Sequence, residues 1–293
     1  MSQAVNERTK AAYLESTLSI ILNVLLFSLK FWVGIRSASV ALMADAWHTL
    51  SDSFSSIILF FGFRISNRGP DKQHPYGHGR MELIAAVIVG VILGIIGVNF
   101  VVESVQRFFN NESAKFGLVA IIVTIISIIS KEIMARYATH LGKEHKSELL
   151  KADGWHHRSD ALSSLLILVG IFLGRYVWWV DSLLGILVSI MLFYAAYEVL
   201  SKSINSLLGT KLDADFKKEL DDFICSQLDF QVYLHHIHMH QYGEHKEMTF
   251  HIKLPAHMSI GKGHAISQKL ENSILSEFDI VATIHIDPYE NKS

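Results

Sequence analysis

The chain is short of charge, of proline and of cysteine. Only 18% of its 293 residues are Asp, Glu, Lys or Arg, where a soluble domain is nearer a quarter charged. Half the residues are hydrophobic and the mean hydropathy is +0.30. That combination excludes an ordinary soluble protein and fits a polytopic membrane protein with some soluble mass. Four prolines leave room for long uninterrupted helices. The single cysteine, Cys225, excludes an internal disulfide and reads as a small buried hydrophobe. A net charge of -2 gives no basic field for nucleic acid. The polar start MSQAVNERTK leads into a long apolar span, not into a short apolar region with a cleavage site, so no cleavable signal peptide is expected.

Six apolar segments are long enough to cross a bilayer, which takes about 20 residues each. They are expected at 13–35, 39–64, 82–108, 116–138, 156–175 and 177–205. The linkers around 65–81 and 139–155 carry Arg68, Lys72, Arg80, Lys143, Lys146 and Lys151, while the opposite loops carry Arg36, Lys115 and Arg175. The positive-inside rule then puts both termini in the cytoplasm. Lys30, in the first span, is expected to snorkel toward the headgroups. Lys131 and Glu132, in the fourth, have no role legible from sequence.

A thirteen-residue pattern occurs twice. Residues 44–56 read ADAWHTLSDSFSS and residues 152–164 read ADGWHHRSDALSS. In each copy a His and an Asp stand four apart, which puts His48 above Asp52, and His156 above Asp160, on one helix face. Charged groups in membrane helices are costly and face a bundle interior or a wet cavity. Two His and two carboxylates are a nitrogen and oxygen donor set suited to a divalent cation, zinc first. On the topology above the second and fifth helices run antiparallel, so the two pairs can close one cage. Asp45 and Asp153, three residues before each His, are candidates to orient the ligands or to charge an entrance; a solvated carboxylate at the membrane boundary is an equal alternative.

Two further clusters lie outside the spans. In the loop GPDKQHPYGHGR, Pro75 and Gly77 force a turn that lets Asp71, His74 and His78 wrap one cation. From about Leu212 the character changes. Residues 213–228 are expected as a helix, 232–241 and 247–254 as strands with Gly243 and Glu244 in the turn, 263–277 as a helix and 281–286 as a strand. Strand alternation sends His236, His238 and His240 to one face and His235 to the other. Such a density of histidine favours a metal site.

Six spans, an H-x-x-x-D in the second and fifth, an H-P-Y-G-H-G loop and a short α+β tail together resemble the cation diffusion facilitator family over nearly the whole chain. The resemblance implies an α-helical membrane protein of six transmembrane helices (residues 1–211) with a C-terminal α+β ferredoxin-like cytoplasmic domain (residues 212–293). It implies a homodimer in the cell membrane that exchanges a divalent cation for protons. His48, Asp52, His156 and Asp160 would form the transport site, and Asp71, His74 and His78 a loop site. His235, His251, His264, His285 and Asp287 fall at the matching positions of tail metal sites. Gly209 stands where relatives carry an acid that pairs with a residue at the place of Arg80, so this chain departs from that dimer lock. Relatives often have Asp where this chain has His48, which leans the site toward zinc over manganese. Zinc, or else iron, manganese, cadmium or cobalt, is expected as substrate and regulator. Export would follow alternating access, with metal and proton competing for the imidazoles. The alternatives are a membrane di-metal oxidase or desaturase, whose boxes would be richer in His, and a metal-sensing scaffold that transports nothing.

Overall fold

The structure is a computed structural model. It describes residues 2–66, 70–144, 148–209, 211–228, 232–242 and 245–289, without the side chains of 2–13, 54–66 and 148–149. Arg68, Lys146, Gly243 and Glu244 lie outside the described residues. The chain divides into two compact units, Met1–Phe60 with Ala86–Ser201, and Phe61–Ala85 with Lys202–Ser293.

The first unit is helical. Its elements are α1 (Ser2–Ser37), α2 (Val40–Ser66), α3 (Met81–Phe109), α4 (Leu118–Glu144), α5 (Glu148–Leu173) and α6 (Val180–Leu208), the ends of α2, α3 and α6 passing into the second unit. Among the described residues, four stretches are long and apolar enough to cross a membrane: Leu14–Ser37, Met81–Phe109, Leu118–Glu144 and Val180–Leu208. On α3 the apolar side faces out. Ile84, Ile88, Val91, Ile95, Val98 and Val102 are exposed, while Gly90, Gly97 and Ser104 are buried. A soluble helix would turn those faces the other way. Helix α5, which carries the second polar repeat, falls outside that set.

Local chemistry fixes the helix joins. Ala38 takes a left-handed φ of 50° between α1 and α2. Ser39 caps α2, its Oγ accepting from the Leu42 N–H at 3.1 Å. Its hydroxyl also donates to buried Asp181 of α6, 2.5 Å away, and the Val40 N–H donates to the same carboxylate at 2.9 Å. One side chain thereby ties two helices at a helix N-terminus. Helices α4 and α5 make the most extensive helix pair. Gly154, inside the second repeat, allows it: a Cβ there would lie 2.3 Å from Thr139 Oγ1 and 2.9 Å from the Ala135 carbonyl.

The second unit contains α7 (Ala214–Gln227), β1 (Leu234–Tyr242), β2 (His245–Pro255), α8 (Ile260–Phe278) and β3 (Val281–Tyr289). The sheet order is β1-β2-β3, antiparallel then parallel. Met248, Phe250, Ile252 and Leu254 alternate along β2 into a core with Leu220 and Ile224 of α7 and Leu270 and Ile274 of α8. The period of two sends the intervening His251 to the face away from the helices. Asp213 caps α7 by accepting from the Asp215 and Phe216 N–H groups.

Candidate metal centres

The two repeats bring their acids and imidazoles together. His156 Nε2 lies 3.5 Å from Asp52 Oδ1 and 3.8 Å from Asp160 Oδ2. His48 Nε2 lies 3.8 Å from Asp160 Oδ1. Donor atoms of His48, Asp52 and Asp160 all fall within 4.8 Å of one another. The carboxylates are nearly closed off, at 6% and 7% side-chain exposure, while His156 at 48% is open. The cage therefore has a buried acidic floor and one accessible wall.

A residue without a role in the sequence reading completes the floor. Lys131 has no exposure, and its Nζ donates to Asp52 Oδ2 at 2.9 Å and to Asp160 Oδ2 at 2.7 Å. The signal was present on its own helix. Ala120, Thr124, Ser127, Lys131, Ala135, Ala138 and Gly142 recur at intervals of three and four and are all buried. Its neighbour Glu132 is turned away, toward Arg136 at 2.8 Å and Arg158 at 3.5 Å.

Asp45 and Asp153 go different ways. Asp45 is 2% exposed and paired with Lys30 at 2.7 Å. Lys30 also donates to Thr49 and Ser164, so it is an interior cation and does not snorkel: three acceptors satisfy the ammonium where it stands. Asp153 lies 3.4 Å from His157, which also approaches Glu15 at 3.5 Å. Glu15 and His157 are buried, and with Asp153 they form a second group of donors able to hold a metal. His157 Nδ1 lies 3.9 Å from Asp160 Oδ2, so this group adjoins the cage.

In the loop, Asp71 organises the turn. Its Oδ1 accepts from the Gln73 and His74 N–H groups at 2.8 and 2.6 Å, and Gly77 supplies a φ of 82°. His74 and His78 approach its two carboxylate oxygens at 3.3 and 3.5 Å. The backbone N–H groups of His74 and Gln73 hold the Asp71 carboxyl below the usual carboxylate range. In the same unit Tyr76 stacks on Tyr242 at 4.9 Å, and Arg80 sits over the Tyr242 ring at 4.0 Å. The Arg80 guanidinium is thus engaged at the end of β1.

On the sheet, His235, His251 and His285 stand in register on adjacent strands. Asp287 gathers them, with Oδ2 at 2.9 Å from His235 Nε2 and 3.0 Å from His251 Nδ1, and Oδ1 at 3.4 Å from His285 Nε2. Hydrogen bonds from His251, then from His235, hold its carboxyl below the usual range. The alternation expected for β1 fails here. A register irregularity between His235 and His238, with His236 at φ 51°, puts His236 beside His235, ring centroids 5.2 Å apart. A bulge adds one residue and so shifts every later side chain by one face. His235, His236 and His251 then form a further cluster. His264, on α8, is exposed and is not part of these clusters among the described residues; it lines a pocket of about 450 Å³ with His285.

Comparisons with known proteins match two consecutive parts of the chain. Residues 16–208 match the cation efflux transmembrane domain family, and residues 212–289 match the cytoplasmic domain of cation efflux proteins. The chain is 33% identical to an uncharacterized transporter of Methanocaldococcus jannaschii over 272 residues, 92% of this chain and 96% of that one. It is 28% identical to the manganese efflux system protein MneP of Bacillus subtilis over 294 residues, 97% and 98% of the two chains. It is 29% identical to the zinc transporter ZitB of Yersinia pestis over 258 residues, 87% and 81%.

Proposed function

Since this chain belongs to the cation diffusion facilitator family, a family of multi-pass membrane transporters and not of enzymes, we propose that it exports a divalent metal cation, zinc favoured, from the cytoplasm in exchange for protons. The oxidase alternative falls with that membership. The observation that carries the proposal is the convergence of Asp52 and Asp160, one from each repeat, with His48 and His156 beside them. Two carboxylates at a buried floor and two imidazoles beside them offer four donors, and a metal bound there would be the substrate.

The mechanism follows from shared atoms. Metal and proton compete for the same imidazole lone pairs, so protonation lowers metal affinity. Cytoplasmic metal enters, a rocking of the helices exposes the cage outward, and protons from outside release it. Six spanning helices, both termini in the cytoplasm and a homodimer complete the reading. We assign residues 1–211 to transport and 212–293 to a ferredoxin-like cytoplasmic domain that binds metal and dimerises. Its ligands would come from His235, His251, His264, His285 and Asp287, with a loop site at Asp71, His74 and His78. The lean toward zinc rests on His48, whose nitrogen makes the donor set softer than three carboxylates; one relative is named for zinc and another for manganese.

Flux into proteoliposomes across a panel of zinc, cadmium, iron, manganese and cobalt tests this. Zinc should lead, and His48→Asp should move the preference toward manganese or iron. An unaltered profile would show that His48 does not set the choice, and no metal flux at all would leave a sensing scaffold.

A further inference from the structure

The buried lysine poses a problem for any ion that binds the cage. Lys131 Nζ holds Oδ2 of both Asp52 and Asp160, which leaves a divalent cation only the Oδ1 atoms that face His156 and His48. An ammonium has no lone pair and cannot be a ligand. At this range it also repels a dication strongly in a weakly screened interior. Metal and ammonium therefore compete for the two carboxylates in the arrangement observed.

We propose that Lys131 is a tethered counter-cation: its ammonium takes the place of the substrate metal between Asp52 and Asp160 when the carrier is empty, and is displaced when metal binds. This rests on the transport-site reading above. The physical need is plain. A carrier that has released its metal must return with two acids buried in the membrane, and unpaired buried carboxylates are costly. Protons on the imidazoles would not fill the space between the carboxylate oxygens. A covalently attached cation does so without being transported.

The surroundings give the displaced head a destination. Lys131 has a flexible four-carbon stem, and helical side chains lean toward the preceding turn. Ser127 lies one turn earlier on the same buried face. Its Oγ is 3.4 Å from that of Ser164, which is also buried. The Ser127 hydroxyl can accept an ammonium that has left the acids, the Ser164 Oγ already accepting from Lys30. Lys30, by contrast, is held by Asp45, Thr49 and Ser164 and does not touch the cage acids.

The test uses the full chain in proteoliposomes, with two flux modes and a binding measurement. Zinc-for-zinc exchange of a radioactive tracer needs only the loaded carrier, while net transport also needs the empty return. Lys131→Gln removes the competitor, so zinc should bind at least about tenfold more tightly in the purified protein. It also removes the surrogate cation, so the ratio of exchange to net transport should rise by at least about tenfold, the discount from full Coulomb strength allowing for relaxation. Zinc affinity unchanged or weakened, or both modes falling in proportion, would overturn the proposal and leave Lys131 a structural residue. If Lys131→Gln fails to fold, Lys131→Arg keeps the charge and grips both carboxylates bidentately. Zinc binding should then weaken by at least about tenfold, since a bidentate charge-assisted pair is the stronger competitor, and unaltered binding would refute displacement. Asp160→Ala separates the two readings. Loss of both modes is expected, whereas exchange at the wild-type rate would mean that the transport site itself is misplaced.

Discussion

At the scale of the residue, chemistry was most legible where two ligands share one helix turn. His48 with Asp52 and His156 with Asp160 need nothing but a four-residue spacing. Lys131 was not legible in that way, because its partner Asp52 is 79 residues away and only packing joins them. His236 was misplaced because alternation assumes an uninterrupted strand, and a bulge between His235 and His238 breaks it. Asp287 gives a prediction at this scale. Hydrogen bonds from His251 and His235 depress its folded pKa, so it stabilises the tail when ionised. That contribution is present above the ordinary carboxylate value of about 4 and is lost as pH falls through the depressed folded value. Denaturant melts of the metal-free tail should therefore separate wild type from Asp287→Asn near neutral pH, and the gap should close in acid. A gap independent of pH would mean that the carboxylate charge does not matter there.

At the scale of the element, small residues decide how near the functional helices lie. Gly154 stands within the second repeat, and α4 passes so close that a Cβ would meet Thr139 and Ala135. Gly154→Val should wedge α4 from α5 and move Lys131 away from Asp160. Overpacking of this kind costs about 1–3 kcal/mol, visible as a lower melting temperature in detergent together with slower transport. An unaltered melt would show that the two helices have room. The tail offers a second element test. His235, His251 and His285 sit on three different strands around one carboxylate, so an ion held there would staple the sheet. Binding at a hundredfold excess over the dissociation constant adds about 2.7 kcal/mol to the stability of the folded form. The melting temperature of residues 212–293 should rise with zinc, and His285→Ala should blunt the rise. A melt indifferent to zinc would leave this domain a role in dimerisation alone.

At the scale of the whole molecule, the membrane character was legible from composition, whereas the grouping of residues 61–85 with 202–293 in one compact unit was not. Expected and observed tail elements differ by a few residues, as β1 at Leu234–Tyr242 against 232–241 shows. The polar groups of the site sit on two helices, α2 with Asp45, His48 and Asp52 and α5 with Asp153, His156 and Asp160, and α5 falls outside the apolar spans. We propose that a proton gradient drives metal through the cage these helices build. The most direct measurement is zinc uptake into proteoliposomes under an imposed proton gradient, for wild type and for Asp160→Ala. Wild type should accumulate zinc and lose the accumulation when a protonophore is added, while Asp160→Ala, still folded by its melt, should accumulate none. Wild-type uptake indifferent to the gradient, or Asp160→Ala transporting at the wild-type rate, would contradict the account.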